Sequence, residues 1–316
     1  GKLRFIPDLI RTIALIVMKR IDLVYFQRSD HRRPRETGFV FRLCRWFGIR
    51  TVFDVDDEID WTTSHCARVL LEGADAVIVA SHALLEDAKL RNSSVYLLHT
   101  PFDETIYAHL QKSPRKGVVN CGFVGDGFAY LGGLREVLRS LDSLDAAHKR
   151  SIHFTYLGSN ADRIRSMLAD TLRGVDCSII GAFDWSNEAR LAEVLTDWDI
   201  GLVPRRTGAK GGSFKAIQYL ALGVVPIACS EGENLFIIGH GVNGFVVNKP
   251  DEWSSFVEEL MDNPSRQIKL AAQGRSDAQQ YSLGNYCASL DAILQGIICG
   301  PLASARLERV LDRRAD

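Results

Sequence analysis

Short apolar runs rich in β-branched residues alternate with helical stretches along nearly the whole 316-residue chain. A strand that reaches the next strand through a helix returns most readily as a parallel crossover, so this rhythm predicts α/β architecture. In the first half the expected strands are 22–27, 51–55, 76–80 and 95–99, with helices near 37–47, 64–72 and 81–91. The second half repeats the pattern more fully, with strands at 120–124, 153–157, 177–180, 200–203, 225–228 and 244–247. Six strands make a complete Rossmann-like sheet, and four a smaller one. Segment 111–117 is polar, contains Pro114 and carries Lys112, Arg115 and Lys116, which marks a linker. The expected division is 1–112, 113–282 and a C-terminal helix and tail at 283–316. Past residue 247 the pattern is helical. Asn263 followed by Pro264 reads as an N-cap before proline at the first helical position, and these helices are expected to pack across the domains.

Charge and cysteine content narrow the function classes. Lysine and arginine number 38 against 39 aspartate and glutamate, a formal net charge of -1, which argues against a protein built mainly to bind nucleic acid. Seven cysteines are scattered without a C-x-x-C pair, so neither a disulfide framework nor a zinc site is expected. The longest apolar run, 13–18, is far short of the roughly 20 residues of a membrane span, and no small-residue cleavage site follows it. The cytoplasm is the expected compartment, with peripheral contact at the inner face of the membrane as an addition to it.

The most informative segment is 200–223. Strand 200–203 ends in Pro204, Arg205 and Arg206, runs through a loop with Lys210, Gly211, Gly212 and Ser213, and enters a helix at Phe214. Ligands of open α/β sheets sit outside the carboxyl ends of the strands, and a helix N-terminus with free N–H groups is an anion site. Lys215 stands in the first helical turn, where a cation opposes the helix dipole unless an anion neutralises it. Gln218, three residues on, shares its face and carries an amide suited to a ribose diol. Lysine to diphosphate and glutamine to ribose is one reading; a solvated lysine and an ordinary helix former is the other.

The blocks "DIGLVP", "GGSFKAIQYLALGVVPIACS" and "GHGVNGFVV" within 199–247 resemble the donor-binding half of family 4 retaining glycosyltransferases. That family carries a "K-x-x-E-x-x-A-x-G-x-P-V" helix, an apolar strand and a "G-x-x-G" turn in this order. "ADAVIVASHALLEDA" (74–88) and "VYLLHTPFDETIY" (95–107) are similar to its serine-started helix and its exit from the first domain. "TVFDVDDEID" (51–60) resembles a D-x-D-D version of the strand where other members carry His-Asp. The likeness covers roughly 21–281. It implies the two-domain GT-B fold, with an N-terminal domain that looks shortened because the family's opening strand and glycine loop have no match here. It also implies a nucleotide-sugar donor, retention of configuration, no metal or other cofactor, and a glycan or lipid-linked acceptor of the kind used in cell-envelope polysaccharide. A homodimer stays open beside a single chain.

Carried over by motif, the resemblance places Asp56 at the acceptor hydroxyl and anomeric carbon, with Asp57 beside it. Gly125, Gly127, Arg205, Lys210, Gly212, Ser213, Phe214, Lys215 and Gln218 fall on the donor side. The chain departs from the pattern in two ways. The family's glutamate pair becomes Lys210 and Gln218, and loop 125–133, "GDGFAYLGG", holds Asp126 where an Arg–Lys phosphate clamp was expected. A non-catalytic relative that binds a sugar nucleotide or a partner protein is therefore the alternative to a transferase. The acidic run also has other readings: Asp54 and Asp56 as a D-x-D metal clamp, or a cap on the following turn. From Arg28 to Arg50 the chain is basic, including Arg32, Arg33 and Arg35, with Trp46 and Phe47 nearby. Such an arm suits a lipid phosphate acceptor or an anionic membrane, or is simply a solvated helix face.

Overall fold

The computed structural model of the chain describes residues 2–27, 33–55, 64–110, 117–181, 183–206 and 211–300, with side chains from residue 7 onward. Contacts divide it into two units: 1–99 with 210–212 and 286–316, and 100–209 with 213–285.

The first unit is a four-stranded parallel sheet in the order β1-β2-β3-β4. Its strands are β1 (Leu23–Gln27), β2 (Arg50–Val55), β3 (Ala76–Val79) and β4 (Val95–Leu97). Helices α1 (Lys2–Val17), α2 (Pro34–Phe47), α3 (His65–Gly73) and α4 (His82–Lys89) accompany it. β2 and β3 are buried throughout, as expected of strands covered on both faces. Ile16 of α1, Val40, Phe41 and Cys44 of α2, Ala67, Leu70 and Leu71 of α3 and Leu84 and Ala88 of α4 bury one face with Phe53 and Val77. Val52, Ala76 and Ile78 form the other face, covered by Leu290, Leu294 and Ile297. α3 and α4 begin at serine caps: Ser64 Oγ accepts from Ala67 N and Ser81 Oγ from Leu84 N.

The second unit is a six-stranded parallel sheet in the order β10-β9-β8-β5-β6-β7. Its strands are β5 (Val119–Val124), β6 (Ile152–Leu157), β7 (Asp176–Ile180), β8 (Ile200–Val203), β9 (Val225–Cys229) and β10 (Phe245–Val247). Helices follow as α5 (Glu104–Tyr107), α6 (Leu131–Leu141), α7 (Ala146–Arg150), α8 (Ala161–Thr171), α9 (Glu188–Thr196), α10 (Phe214–Leu222), α11 (Asn234–Ile237), α12 (Glu252–Asp262) and α13 (Pro264–Ala278). α14 (Leu283–Cys299) begins here and belongs to the first unit from Tyr286 on. One layer, built on α6, α8 and α12, packs one face of the sheet; the other, built on α9 and α10, packs the second. Expected linker residues 111–116 lie outside the described residues. Residues 100–110 cluster with the second unit because Phe102 and Tyr107 are buried in its core and Phe102 bridges to Ser282.

Strand order reverses between β5 and β8, so the chain leaves this centre first toward β7 and later toward β10. The two strands pair only at Cys121↔Ile200 and Gly122↔Gly201. Asp199 staples their lower ends. It accepts from Asn120 N at 2.9 Å and from Gln267 Nε2 of α13 at 2.9 Å, while its own N–H reaches Asn120 O at 2.7 Å. Beyond Gly201 the strands part, and the Tyr219 hydroxyl of α10 fills the gap by accepting from Val124 N at 3.3 Å. Gly201 leaves room for that ring, since a Cβ there would stand 2.4 Å from it. Removing the hydroxyl leaves a buried amide without an acceptor. Tyr219→Phe should cost roughly 1–2 kcal/mol, read as a lower urea midpoint with an unchanged slope; an unchanged midpoint would show that the gap closes by direct strand pairing instead.

Candidate functional site

The carboxyl ends of β5 and β8 flank the point of reversal, where open α/β sheets bind ligands. After β5 comes the loop Gly125–Gly127, after β8 come Pro204–Arg206, and α10 enters beside them. Gly133 in the first turn of α6 lets that helix press on the Arg205 backbone, 2.4 Å from where a Cβ would lie.

Lys215 is the centre of this rim. Its Nζ donates to the Tyr130 hydroxyl at 2.9 Å and lies 4.4 Å from the Tyr130 ring centroid, a cation–π contact. The same side chain lies over Gly125, whose φ of +149° few side chains adopt and where a Cβ would meet Lys215 Cε at 2.8 Å. No side chain caps α10. Ser213, at the cap position, turns its hydroxyl to Asn234 Oδ1 instead. The first amides of the helix are thus left without a side-chain acceptor beside a cation and a glycine loop, an arrangement suited to an anion.

Asp126 turns away from this centre. It accepts from Ser159 Oγ at 2.7 Å, Phe128 N at 3.0 Å and Asn160 Nδ2 at 2.9 Å. These bonds, the Ser159 one foremost and with Arg206 contributing, hold its carboxyl below the usual range. Asp126 therefore ties the β5 loop to the β6 loop. Tyr156 repeats the tie from below: its hydroxyl donates to Ser159 O at 2.5 Å and lies 3.2 Å from Gly125 O, and burial pushes it up to about 12. Gly127 is buried on that hydroxyl.

The remaining sequence-chosen residues are spread more widely. Arg205 pairs with Glu231 at 2.8 Å on an exposed surface. Phe214 packs half-buried against the second unit's core, and Gly212 clusters with the first unit. Gln218 is only 3% exposed and its Nε2 donates to the Tyr107 hydroxyl at 3.1 Å, so its amide faces the protein. Burial, and the neighbouring Glu188 carboxylate, push that phenol up, although the Gln218 bond pulls the other way. Glu188 Oε1, at the start of α9, is buried with no hydrogen-bond partner among the described residues. Sequence reasoning gave no site role to Tyr130, Tyr107, Glu188 or Arg206, although Arg206 was named in the basic loop after β8 and Tyr130 stands as an aromatic inside a glycine-rich loop. Asp56, Asp57, Arg32 and Lys210 lie outside the described residues. Asp54 is 5% exposed and accepts from Tyr25 Oη at 2.8 Å, so it serves the first sheet. Arg33 precedes α2, 4.0 Å from Glu36, and Arg35 is exposed in the first turn. A cavity of about 370 Å³ lined by Asn120, Thr155, Ser178, Arg190 and Trp198 lies on the sheet face beside α9 rather than on this rim.

Residues 119–263 match the family described as Glycosyl transferases group 1. The match runs from the first strand of the second sheet to the residue after α12 and contains every rim residue above. No curated protein sequence matches the chain. Among solved structures, Anabaena HepE in complex with UDP is similar with a TM-score of 0.71 at 13% identity, covering 92% of this chain and 82% of that one. A glycosyltransferase from Rickettsia africae gives 0.71 at 15% identity, covering 93% and 81%. Sucrose-phosphate synthase from Thermosynechococcus elongatus gives 0.67 at 14%, covering 88% and 74%. At these identities the likeness is one of fold, and the fold is the α/β, parallel-sheet arrangement of GT-B glycosyltransferase structures.

Asp126 supplies a pH test of the rim. A carboxyl held low in the folded state adds stability above its ordinary value near 3.9, and that stability is lost as pH falls further. Because Asp126 is exposed and screened by solvent, Asp126→Ala should cost at most about 0.5–1 kcal/mol between pH 5 and 8, and the gap from the unaltered protein should narrow progressively as pH falls below about 4. Urea titrations at each pH would measure it, and a gap independent of pH would assign the loss to packing.

Proposed function

We propose that the protein is a glycosyltransferase that moves a sugar from a nucleotide-diphosphate donor to a glycan, lipid-linked or polysaccharide acceptor with retention of configuration. The observation that carries this reading is Lys215 lying over the Gly125 loop at the strand-order reversal, beside the uncapped start of α10. The family match over 119–263 and the UDP bound by the similar Anabaena protein support it.

In this reading the donor diphosphate lies on the first amides of α10 and the Gly125 loop, and Lys215 leaves Tyr130 to meet it. Charge grows on the leaving diphosphate as the glycosidic bond breaks, so a fixed cation and oriented amides lower the barrier more than they tighten the ground state. Arg205 joins only by parting from Glu231. No metal is required, because the cation work falls to Lys215 and the amides. The ribose contact passes from buried Gln218 to Glu188, whose unpartnered oxygen suits a hydroxyl donor and whose neighbour Tyr107 is held by Gln218. Asp56, with Asp57 beside it, is assigned to orient the acceptor hydroxyl, by resemblance to the family.

A panel of UDP, GDP and dTDP should include one nucleotide that raises the melting temperature. Lys215→Ala should weaken that nucleotide by roughly 10- to 100-fold while leaving the nucleoside almost unchanged, as expected for a charge-assisted contact worth about 1.5–3 kcal/mol. Glu188→Gln should erase the preference for the ribonucleotide over its 2′-deoxy form. If no nucleotide diphosphate binds, the donor site as drawn is wrong.

A second reading rests on Lys210 and Gln218 replacing the family's acids and on Gln218 facing inward: the chain binds a sugar nucleotide without turning it over. Nucleotide release from the matching sugar donor, retained in excess EDTA and lost in Lys215→Ala, favours the transferase. Tight donor binding with no release at any acceptor concentration favours the second reading.

A further inference from the structure

Helix α2 buries Thr37, Val40, Phe41 and Cys44 against the first sheet. An amphipathic helix of a globular unit ordinarily turns polar side chains to the opposite side. Here the outward stripe at spacings of four, three and four reads Arg35, Phe39, Arg42, Trp46, and all four are exposed. Trp46 is 85% exposed and Phe39 47%. Arg35 has no ion-pair partner among the described residues, and Arg42 only reaches back to Gly38 O at 3.2 Å, so most of its donors are open. Glu36, the acid of the first turn, faces Arg33. The same layer holds α1, which packs against α2 and exposes Ile10, Val17 and Met18 ahead of Lys19 and Arg20.

Two large aromatics on a solvent face are costly in water, and the arginines that alternate with them give the stripe a positive charge with no acid on it. Tryptophan and phenylalanine settle at the depth of lipid headgroups, and arginine beside them is drawn to lipid phosphate. The stripe is long enough to lie along a surface, and no helix among the described residues is long and apolar enough to cross one. We propose that α2, flanked by α1, is a docking surface for an anionic lipid bilayer, with Phe39 and Trp46 inserted among the headgroups and Arg35 and Arg42 on lipid phosphates. α2 follows β1, so its first turn stands at the carboxyl-end rim of the first sheet and its axis lies along the membrane plane. The inference uses the first unit alone and does not depend on the donor reading.

Flotation of the full chain with phosphatidylcholine vesicles, and with vesicles in which a third of the lipid is phosphatidylglycerol, tests it. Binding should favour the anionic vesicles by about tenfold or more and weaken as salt rises. Phe39→Ser with Trp46→Ser should reduce binding about tenfold or more, and Arg35→Gln and Arg42→Gln about fivefold each, with unchanged circular dichroism and urea midpoint. Because all four side chains are exposed, the arginine variants keep the test valid if the aromatic pair disturbs folding. Equal binding to both vesicles, no binding to either, or binding indifferent to these substitutions overturns the proposal. So does concentration-dependent self-association that the aromatic variant abolishes in the absence of vesicle binding.

Discussion

The separation of β5 from β8 is the constraint on which the second unit depends. Six parallel strands could have paired along their full length; instead the two central ones are held at one end by Asp199 and parted at the other around Tyr219. A parallel sheet that reverses its winding must leave adjacent connections running in opposite directions, and the space between them is where backbone amides lack partners. Tyr219 keeps that opening from becoming a defect. Its ring packs over Gly201 and its hydroxyl satisfies the amide that a neighbouring strand would otherwise take. Lys215 is one helical turn before Tyr219 on the same helix, so the residue that holds the strands apart also fixes where the cation stands.

Much of this architecture is legible in the sequence. All ten strands were expected within two residues of where they occur, because buried parallel strands are dense in valine and isoleucine and are bounded by glycine, proline or serine. Helix α10 starts at Phe214, where it was expected, since a glycine loop precedes it. What the one-dimensional pattern could not show is direction. Gln218 and Lys215 share a face by spacing, yet one amide is bonded inward to Tyr107 and the other side chain runs out over Gly125. Residue 107 lies 111 positions from its partner, a distance that no local rule spans. The same limit hid Glu188, whose carboxylate meets the Tyr107 phenol and keeps one oxygen without a partner only once α5, α9 and α10 are packed together.

Asp126 shows the complementary case, a residue whose sign looked wrong in a phosphate loop. Read along the chain, an acid there weakens the case for an anion site. In three dimensions its charge is spent on Ser159, Asn160 and the Phe128 amide, and its effect on the rim is mechanical. It braces the β5 loop from the side while Tyr156 braces it from below. Loop shape, rather than loop charge, is what the segment after β5 contributes, and the cation comes from α10.

The resting partners of the two rim cations give them unequal readiness. Lys215 rests on a neutral phenol, a partner that an anion displaces with little loss, because no counter-charge is stranded when the lysine leaves. Arg205 rests on a carboxylate, and drawing it away uncovers Glu231 beside the incoming negative charge. A weakly charged visitor can therefore recruit the lysine alone. Under the donor reading proposed above, only a ligand carrying enough negative charge to outbid Glu231 gathers both, so a longer polyanion would engage a cation that a single phosphate leaves on its carboxylate.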